Sequence, residues 1–368
     1  MRHVAAAALG LILAAACGSE EAGDAGEAAS DRTPRLRLAV VDTIGAEMGD
    51  SVHMFGTVDA LAHGPEGEVL VLDGMRKRIG RYSPRGEFLN WISREGEGPG
   101  ELLRPSSMAL VPDRGLAVND LALSRITFFD QEGLVREEIE GFTPFPPTRM
   151  RASSAGVVGT RRDFDREANR YGFRVGLWTD STEMDLVYHS RMTDFNRDNI
   201  QETVSSTNIA FTASPFDGRV YVAPVSTEDY RIFIYAADGT REGEIVSSRP
   251  RVRRPQREID RERAEQNRQL REEGAPPDMV WEPREYENQV SALWVGPENR
   301  LWVRDGTSPD PLFHVYSPEG DLLFECALEG QAPAEGDLWF SIDAGGFLAT
   351  QSDPLDFSRV YILSLQEE

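Results

Sequence analysis

Five stretches of nine residues share one frame: PEGEVLVLD (65–73), PDRGLAVND (112–120), FDGRVYVAP (216–224), PENRLWVRD (297–305) and DAGGFLATQ (343–351). Each opens on turn formers and runs into a strand that alternates about a small or β-branched position such as Val71, Val118, Val222 or Val303. ASSAGVVGT (152–160) is a weaker sixth copy. The starts at 65, 112, 152, 216, 297 and 343 are 47, 40, 64, 81 and 46 residues apart. Most of these spacings match one four-stranded propeller blade, a unit that buries its faces only against its neighbours.

The surroundings of the frame repeat as well. An apolar strand precedes it (SSMALV, SALWVG) and another follows, beginning near arginine (RIGRYS, RITFFD, RIFIYA). The third strands end in YSPRG, FDQEG, YAADG and YSPEG, which read as tight turns between antiparallel strands. Four strands per unit and six units predict an all-β, six-bladed β-propeller over residues 35–368. The last unit is one strand short, and RLRLAVVDTIG (35–45) supplies the missing strand from the other end, removing an open edge. The spacing of 81 reflects a charged insertion between blades 4 and 5, residues 249–289. From Gln256 to Glu273 that insertion is a strong helix former stopped by Gly274, with Ile259, Ala264 and Leu270 too few for a deep core face.

Residues 1–17, MRHVAAAALGLILAAAC, have a cationic start, an apolar run too short to span a bilayer, and small residues leading to Cys17. They resemble a bacterial lipoprotein signal peptide, which implies lipidation of Cys17 and a membrane anchor through acyl chains. Residues 18–34, rich in Gly, Ala, Ser and acids, read as a flexible acidic tether. Cys326 is then left without an intrachain disulfide partner and reads as a small core residue. With 39 Lys and Arg against 62 Asp and Glu, the formal charge of −23 disfavours nucleic acid and anionic surfaces as partners.

GEGPGELLRP (96–105) has the look of a phosphate loop, but Pro105 and a β-rich run follow instead of a helix, and Glu95, Glu97 and Glu101 surround it. It reads as a linker between blades. Together with Asp73 and Arg78, and Asp120 and Arg125, it resembles the NHL-type propellers, closest to six-bladed lipoproteins of bacterial cell envelopes. Blade 3 lacks the Asp and Arg pair, and in blade 4 Pro224 replaces the acid. The recurrence of the pair argues for a repeated structural role, with Asp accepting turn N–H groups or pairing with Arg.

Eight residues before each frame start stand Thr57, Arg104, Pro144, Asn208, Gln289 and Glu335, at the expected mouth of the innermost strand. The polar five are the candidate ligand-binding ring around one end of the channel. Arg249, Arg251, Arg253, Arg254 and Arg257 form a local basic cluster on the same face, able to attract an anionic ligand or to pair with nearby acids. His53, His63, His189 and His314 show no ligand spacing, and no catalytic residue or metal site is assigned. The expectation is therefore a monomeric, lipid-anchored binding or interaction module of the cell envelope, periplasm-facing or at the cell surface, with a small molecule or a protein as partner and no cofactor. The alternative that the resemblance implies is a metal-dependent hydrolase or lyase holding a divalent cation such as calcium at the channel mouth.

Overall fold

The repeated turns set the register of the strands. In YSPRG, Ser83 N–H donates to Glu87 O (2.7 Å) and Gly86 N–H to Ser83 O (2.9 Å). Gly86 has φ 80°, and Gly133, Gly239 and Gly320 close the other three turns at 83°, 87° and 101°, a region in which a side chain is strained. The computed structural model describes residues 34–46, 48–195, 208–277, 279–306, 311–329, 338–351 and 357–367.

Strand β1 (Arg35–Ile44) is followed by four sheets of four antiparallel strands, each in chain order. The first holds β2 (Val58–His63), β3 (Val69–Asp73), β4 (Arg78–Tyr82) and β5 (Phe88–Ser93); the second β6 (Pro105–Val111), β7 (Gly115–Asp120), β8 (Arg125–Phe129) and β9 (Val135–Glu140). The third holds β10 (Thr148–Ser153), β11 (Gly156–Asp165), β12 (Arg170–Trp178) and β13 (Leu186–Asp194); the fourth β14 (Ile209–Ala213), β15 (Val220–Pro224), β16 (Tyr230–Tyr235) and β17 (Arg241–Ser247). The remaining strands are β18 (Ala292–Val295), β19 (Leu301–Asp305), β20 (Leu312–Tyr316), β21 (Leu322–Leu328), β22 (Leu338–Asp343), β23 (Gly346–Gln351) and β24 (Val360–Glu367). With β1 they form one eight-stranded sheet, in the order β18-β19-β20-β21-β1-β24-β23-β22.

The first strand of each four-strand run contacts the first strand of the next, in the cyclic order β2, β6, β10, β14, β18, β22 and back to β2. The arrangement is a mostly β, propeller-like ring. Its apolar clusters each lie between neighbours: Ala62, Leu70 and Met108 join the first and second sheets, for example, and Val158, Phe211 and Val222 the third and fourth. Val71, Val118, Val222 and Val303 are at most 1% exposed, so the repeated position of the frame is a core position.

Strand β1 pairs antiparallel with β24 from Ile44↔Val360 to Leu36↔Glu367, the pairing expected of a strand that completes the last unit. It also pairs parallel with β21, Arg35↔Glu325 to Leu38↔Leu328, and this fuses the two halves of the eight-stranded sheet. Alternation in the sequence shows that a strand has two faces, not that both of its edges are occupied.

Between β17 and β18 the insertion leaves the ring and returns. Arg254 N–H donates to Glu285 O and Glu287 N–H to Val252 O, both at 2.9 Å, so its two ends form a short ladder. Helix α1 (Gln256–Glu272) rises from that base with Ile259 as its buried residue. Glu262 accepts from Trp281 Nε1 (2.9 Å) and pairs with Arg254 (2.8 Å), pinning the helix to its return strand.

Candidate functional site

The starts of the inner strands, the ends of the second strands and the base of the insertion share one end of the ring. There Asp73 accepts the N–H groups of Gly56 and Thr57 (3.1 and 3.2 Å), and Asp120 those of Leu103, Arg104, Ala122 and Leu123 (2.7 to 3.1 Å). Arg125 Nη2 donates to Gly98 O and Glu101 O (2.7 and 2.8 Å). These acids and arginines hold backbone, which is the structural role their repetition implies. In the linker GEGPGELLRP, Gly96 N–H donates to Leu102 O, Gly98 N–H to Glu101 and Gly100 N–H to Glu138 (3.0, 3.0 and 3.2 Å). Its glycine N–H groups are spent inside the protein, and Glu101, whose pKa the Gly98 N–H and the Arg94 side chain lower, stands where a phosphate would.

The sequence-predicted ring residues are placed unequally. Thr57 is half-buried and its hydroxyl donates to Asp59 (3.1 Å) and accepts from Met75 N–H (3.0 Å). Arg104 is exposed; its carbonyl accepts from Leu121 N–H (3.0 Å), and its side chain makes no hydrogen bond or ion pair among the described residues. Asn208 is exposed and its carbonyl accepts from Val225 N–H (3.0 Å). The matching bond from Gly306 N–H goes to Asn288 O (3.1 Å), because the chain between Asn288 and β18 is longer than its counterparts. The ring place is therefore one residue before Gln289, which is buried and donates its N–H to Ser226 O (2.7 Å). Glu335 and Cys17 lie outside the described residues. Asn208 and Gln289 thus meet on the two sides of the Val225–Ser226 turn.

That turn walls a cavity of about 520 Å³ whose lining includes Arg191 of β13, Glu228, Arg251, Arg284, Glu285 and Tyr286. Such a volume suits a small organic ligand. Arg251 lies 3.8 Å above the Tyr286 ring and pairs with Glu228 (3.6 Å). Arg191 Nη1 donates to Asn208 O (3.3 Å) and Arg284 Nη1 to Asn288 Oδ1 (3.1 Å); neither forms an ion pair among the described residues. Burial lowers the pKa of both, and the proximity of Arg284 lowers that of Arg191 further. The two acids of the lining pair elsewhere, Glu228 with Arg251 and Glu285 with Arg253, so two guanidiniums bonded to neutral acceptors stand together within a protein of formal charge −23. Arg191 and Arg284 come from segments 93 residues apart (284 minus 191) and carry no local signal in the sequence.

Three more arginines of the basic cluster are engaged, while Arg257 is exposed and makes no hydrogen bond or ion pair among the described residues. Arg253 pairs with Glu285 (3.7 Å), Arg254 with Glu262, and Arg249 with Asp305 (3.0 Å), while Arg249 Nη1 also donates to His314 Nε2 (2.5 Å). That bond leaves the proton of the buried imidazole on Nδ1, and burial with the adjacent Arg249 charge holds the His314 pKa down at about 3. Asp305 occupies the frame position of Asp73 and Asp120, yet its carboxylate faces Arg249, and burial raises its pKa. His63 bonds to Asp343 (2.7 Å) and His189 to Tyr235 (2.9 Å). Among the described residues no three His, Cys, Asp or Glu side chains gather into a metal-ligating group.

No protein-family model matches the chain, and no curated protein matches it. Among solved structures it is similar to a member of the DUF4221 family from Bacteroides vulgatus, with 7% identity over 92% of this chain and 100% of that one and a TM-score of 0.50. It is also similar to a Bacteroides fragilis protein described as exported (14% identity, 90% and 95% covered, TM-score 0.47) and to the calcium-binding protein regucalcin from Agrobacterium tumefaciens (10%, 90% and 96%, 0.45). At these identities the likeness is one of fold: the chain is a β-propeller-type protein.

Proposed function

We propose that this protein is a six-bladed propeller that works as a binding module, taking an organic anion in the cavity between the fourth sheet and the base of the insertion. The observation that carries the reading is the convergence of Arg191 and Arg284 on that cavity with no ion pair of their own among the described residues, while the acids that line it, Glu228 and Glu285, pair with Arg251 and Arg253. Each hydrogen bond from such a group to a carboxylate or phosphate is worth about 1.5–3 kcal/mol. The Tyr286 face offers apolar contact for the ligand body. The count of six rests on six inner strands in cyclic contact, with the eight-stranded sheet taken as two blades joined by β1. The exported, lipid-anchored setting rests on the run before Cys17, which would tether the module to the cell envelope as a monomer.

The test is calorimetric titration with a panel of dicarboxylates and sugar phosphates. We expect one or more to bind with a heat that falls at least tenfold in apparent affinity in Arg284→Gln, since one charge-assisted bond is lost. A panel without a binder, or an Arg284→Gln protein that binds as the native one does, would sink the reading. Metal analysis of protein purified without chelator covers the enzyme reading: a stoichiometric divalent ion with a large thermal stabilisation would favour a metal-dependent hydrolase or lyase.

A further inference from the structure

The six inner strands can be superposed in register by the residue each sets opposite the seventh place of its frame. Opposite Val71, Val118, Val222, Val303 and Ala349 stand Leu61, Met108, Phe211, Leu293 and Phe340, all buried. Opposite Val158 stands Arg151. Two residues earlier, at the register shift that opens β10, Arg149 has φ 55°, a left-handed conformation that costs a non-glycine residue free energy.

Neither arginine forms an ion pair among the described residues. Arg149 Nη2 donates to Ile209 O (2.8 Å), Arg151 Nη1 to Met150 O (3.0 Å), and the buried Arg151 Nε has no partner. Both guanidiniums lie over the Phe211 ring, their Cζ atoms 5.1 and 5.9 Å from its centroid. Burial lowers the pKa of Arg149, and burial together with Arg149 brings that of Arg151 to about 10, so the two like charges stand close together. Arg149 is exposed, which leaves the pair open to an ion from solvent. Covering Phe211 needs no charge, because in the other inner strands an apolar residue fills the place of Arg151.

We propose that Arg149 and Arg151 form an oxyanion site where the third and fourth sheets meet, binding a phosphate, sulfate or carboxylate group between two guanidiniums above Phe211. The site is distinct from the cavity of Arg191 and Arg284. Arg149 donates to Ile209 O and Arg191 to Asn208 O, so the two sites use successive carbonyls at the start of β14.

Inorganic phosphate is the probe, added to the whole protein at constant ionic strength set with sodium chloride, with the thermal midpoint as readout. The native protein should gain stability with phosphate, Arg284→Gln should keep most of that gain, and Arg151→Leu should lose it. Arg151→Leu restores the residue type of the other strands and should itself melt higher than the native protein without phosphate. Arg149→Gly, which suits the left-handed backbone, should also lose the response. A native midpoint that phosphate moves no more than chloride does, or an undiminished response in both Arg151→Leu and Arg149→Gly, overturns the proposal. So does an Arg151→Leu chain that cannot fold, since the arginine would then be a structural member; a response lost only in Arg284→Gln assigns the anion to the cavity instead.

Discussion

The second and third sheets begin their inner strands with the same one-residue register shift and hold it in different ways. In the second, Pro105 faces Asp120, whose carboxylate accepts four backbone N–H groups, and the shifted Ser106 donates through N–H and hydroxyl to Asn119 (3.2 and 3.1 Å). In the third, Thr148 faces Thr160, and the two threonine side chains bond to each other and to no third residue among the described ones. The shifted residue there is Arg149, turned into the left-handed region with no acid to meet it. Where the repeat is kept its polar residues hold backbone together; where it lapses, a charged side chain is left without an acid partner among the described residues. The proposed anion site is thus read from a departure from the repeat, not from the repeat itself.

That contrast can be broken most forcefully at Asp120. Asp120→Ala should cost about 3–5 kcal/mol, because it leaves four backbone N–H groups without their acceptor in a buried place, and a urea midpoint will show it. A loss below about 1 kcal/mol would mean that water replaces the carboxylate and that the brace is decorative.

A second, smaller effect is acid sensitivity around Asp305, the frame equivalent that abandons its linker for Arg249. His314 and His189 have folded pKa values of about 3 and about 4, against 6.5 in the open chain, so unfolding takes up protons as the pH falls below 6.5. Their contribution is complete above pH 6.5 and is lost progressively toward pH 4. His314→Leu should flatten that slope in melts recorded between pH 4 and 7. A slope unchanged by the substitution would show that the imidazole is protonated in the fold.

The smallest effect belongs to the third sheet itself. Thr160→Ala removes two short-range bonds and should cost about 1 kcal/mol. If it destabilises as much as Asp120→Ala does, the two sheets differ in chemistry but not in load, and the contrast fails.

Much of the ring was legible because its signals are local: a glycine that must take positive φ in YSPRG, a valine that must be buried in each frame, an insertion rich in helix formers. The helix was expected to be mostly solvated, and it buries Ile259 alone. The candidate site was less legible. Asp305 looks in sequence like Asp73 and Asp120, and only the longer chain before β18 shows that no linker N–H reaches it. Gln289 was displaced by one residue for the same reason. Arg191 and Arg284 meet through the closure of the ring, a condition no window of sequence contains. Arg151 was visible in principle, as the one charged residue at a place that five other strands fill with apolar side chains.

One consequence of β1 concerns how the molecule comes apart. Solenoids and other stacked repeats fray from an end, one unit after another. Here the earliest strand of the ring is held on one edge by β24 and on the other by β21, so neither the first strand nor the last unit can peel away without breaking a ladder that joins the two ends of the chain. The ring has no first unit to lose. Its unfolding should be a single cooperative step, and amide protons of β1 should exchange as slowly as those of the central strands.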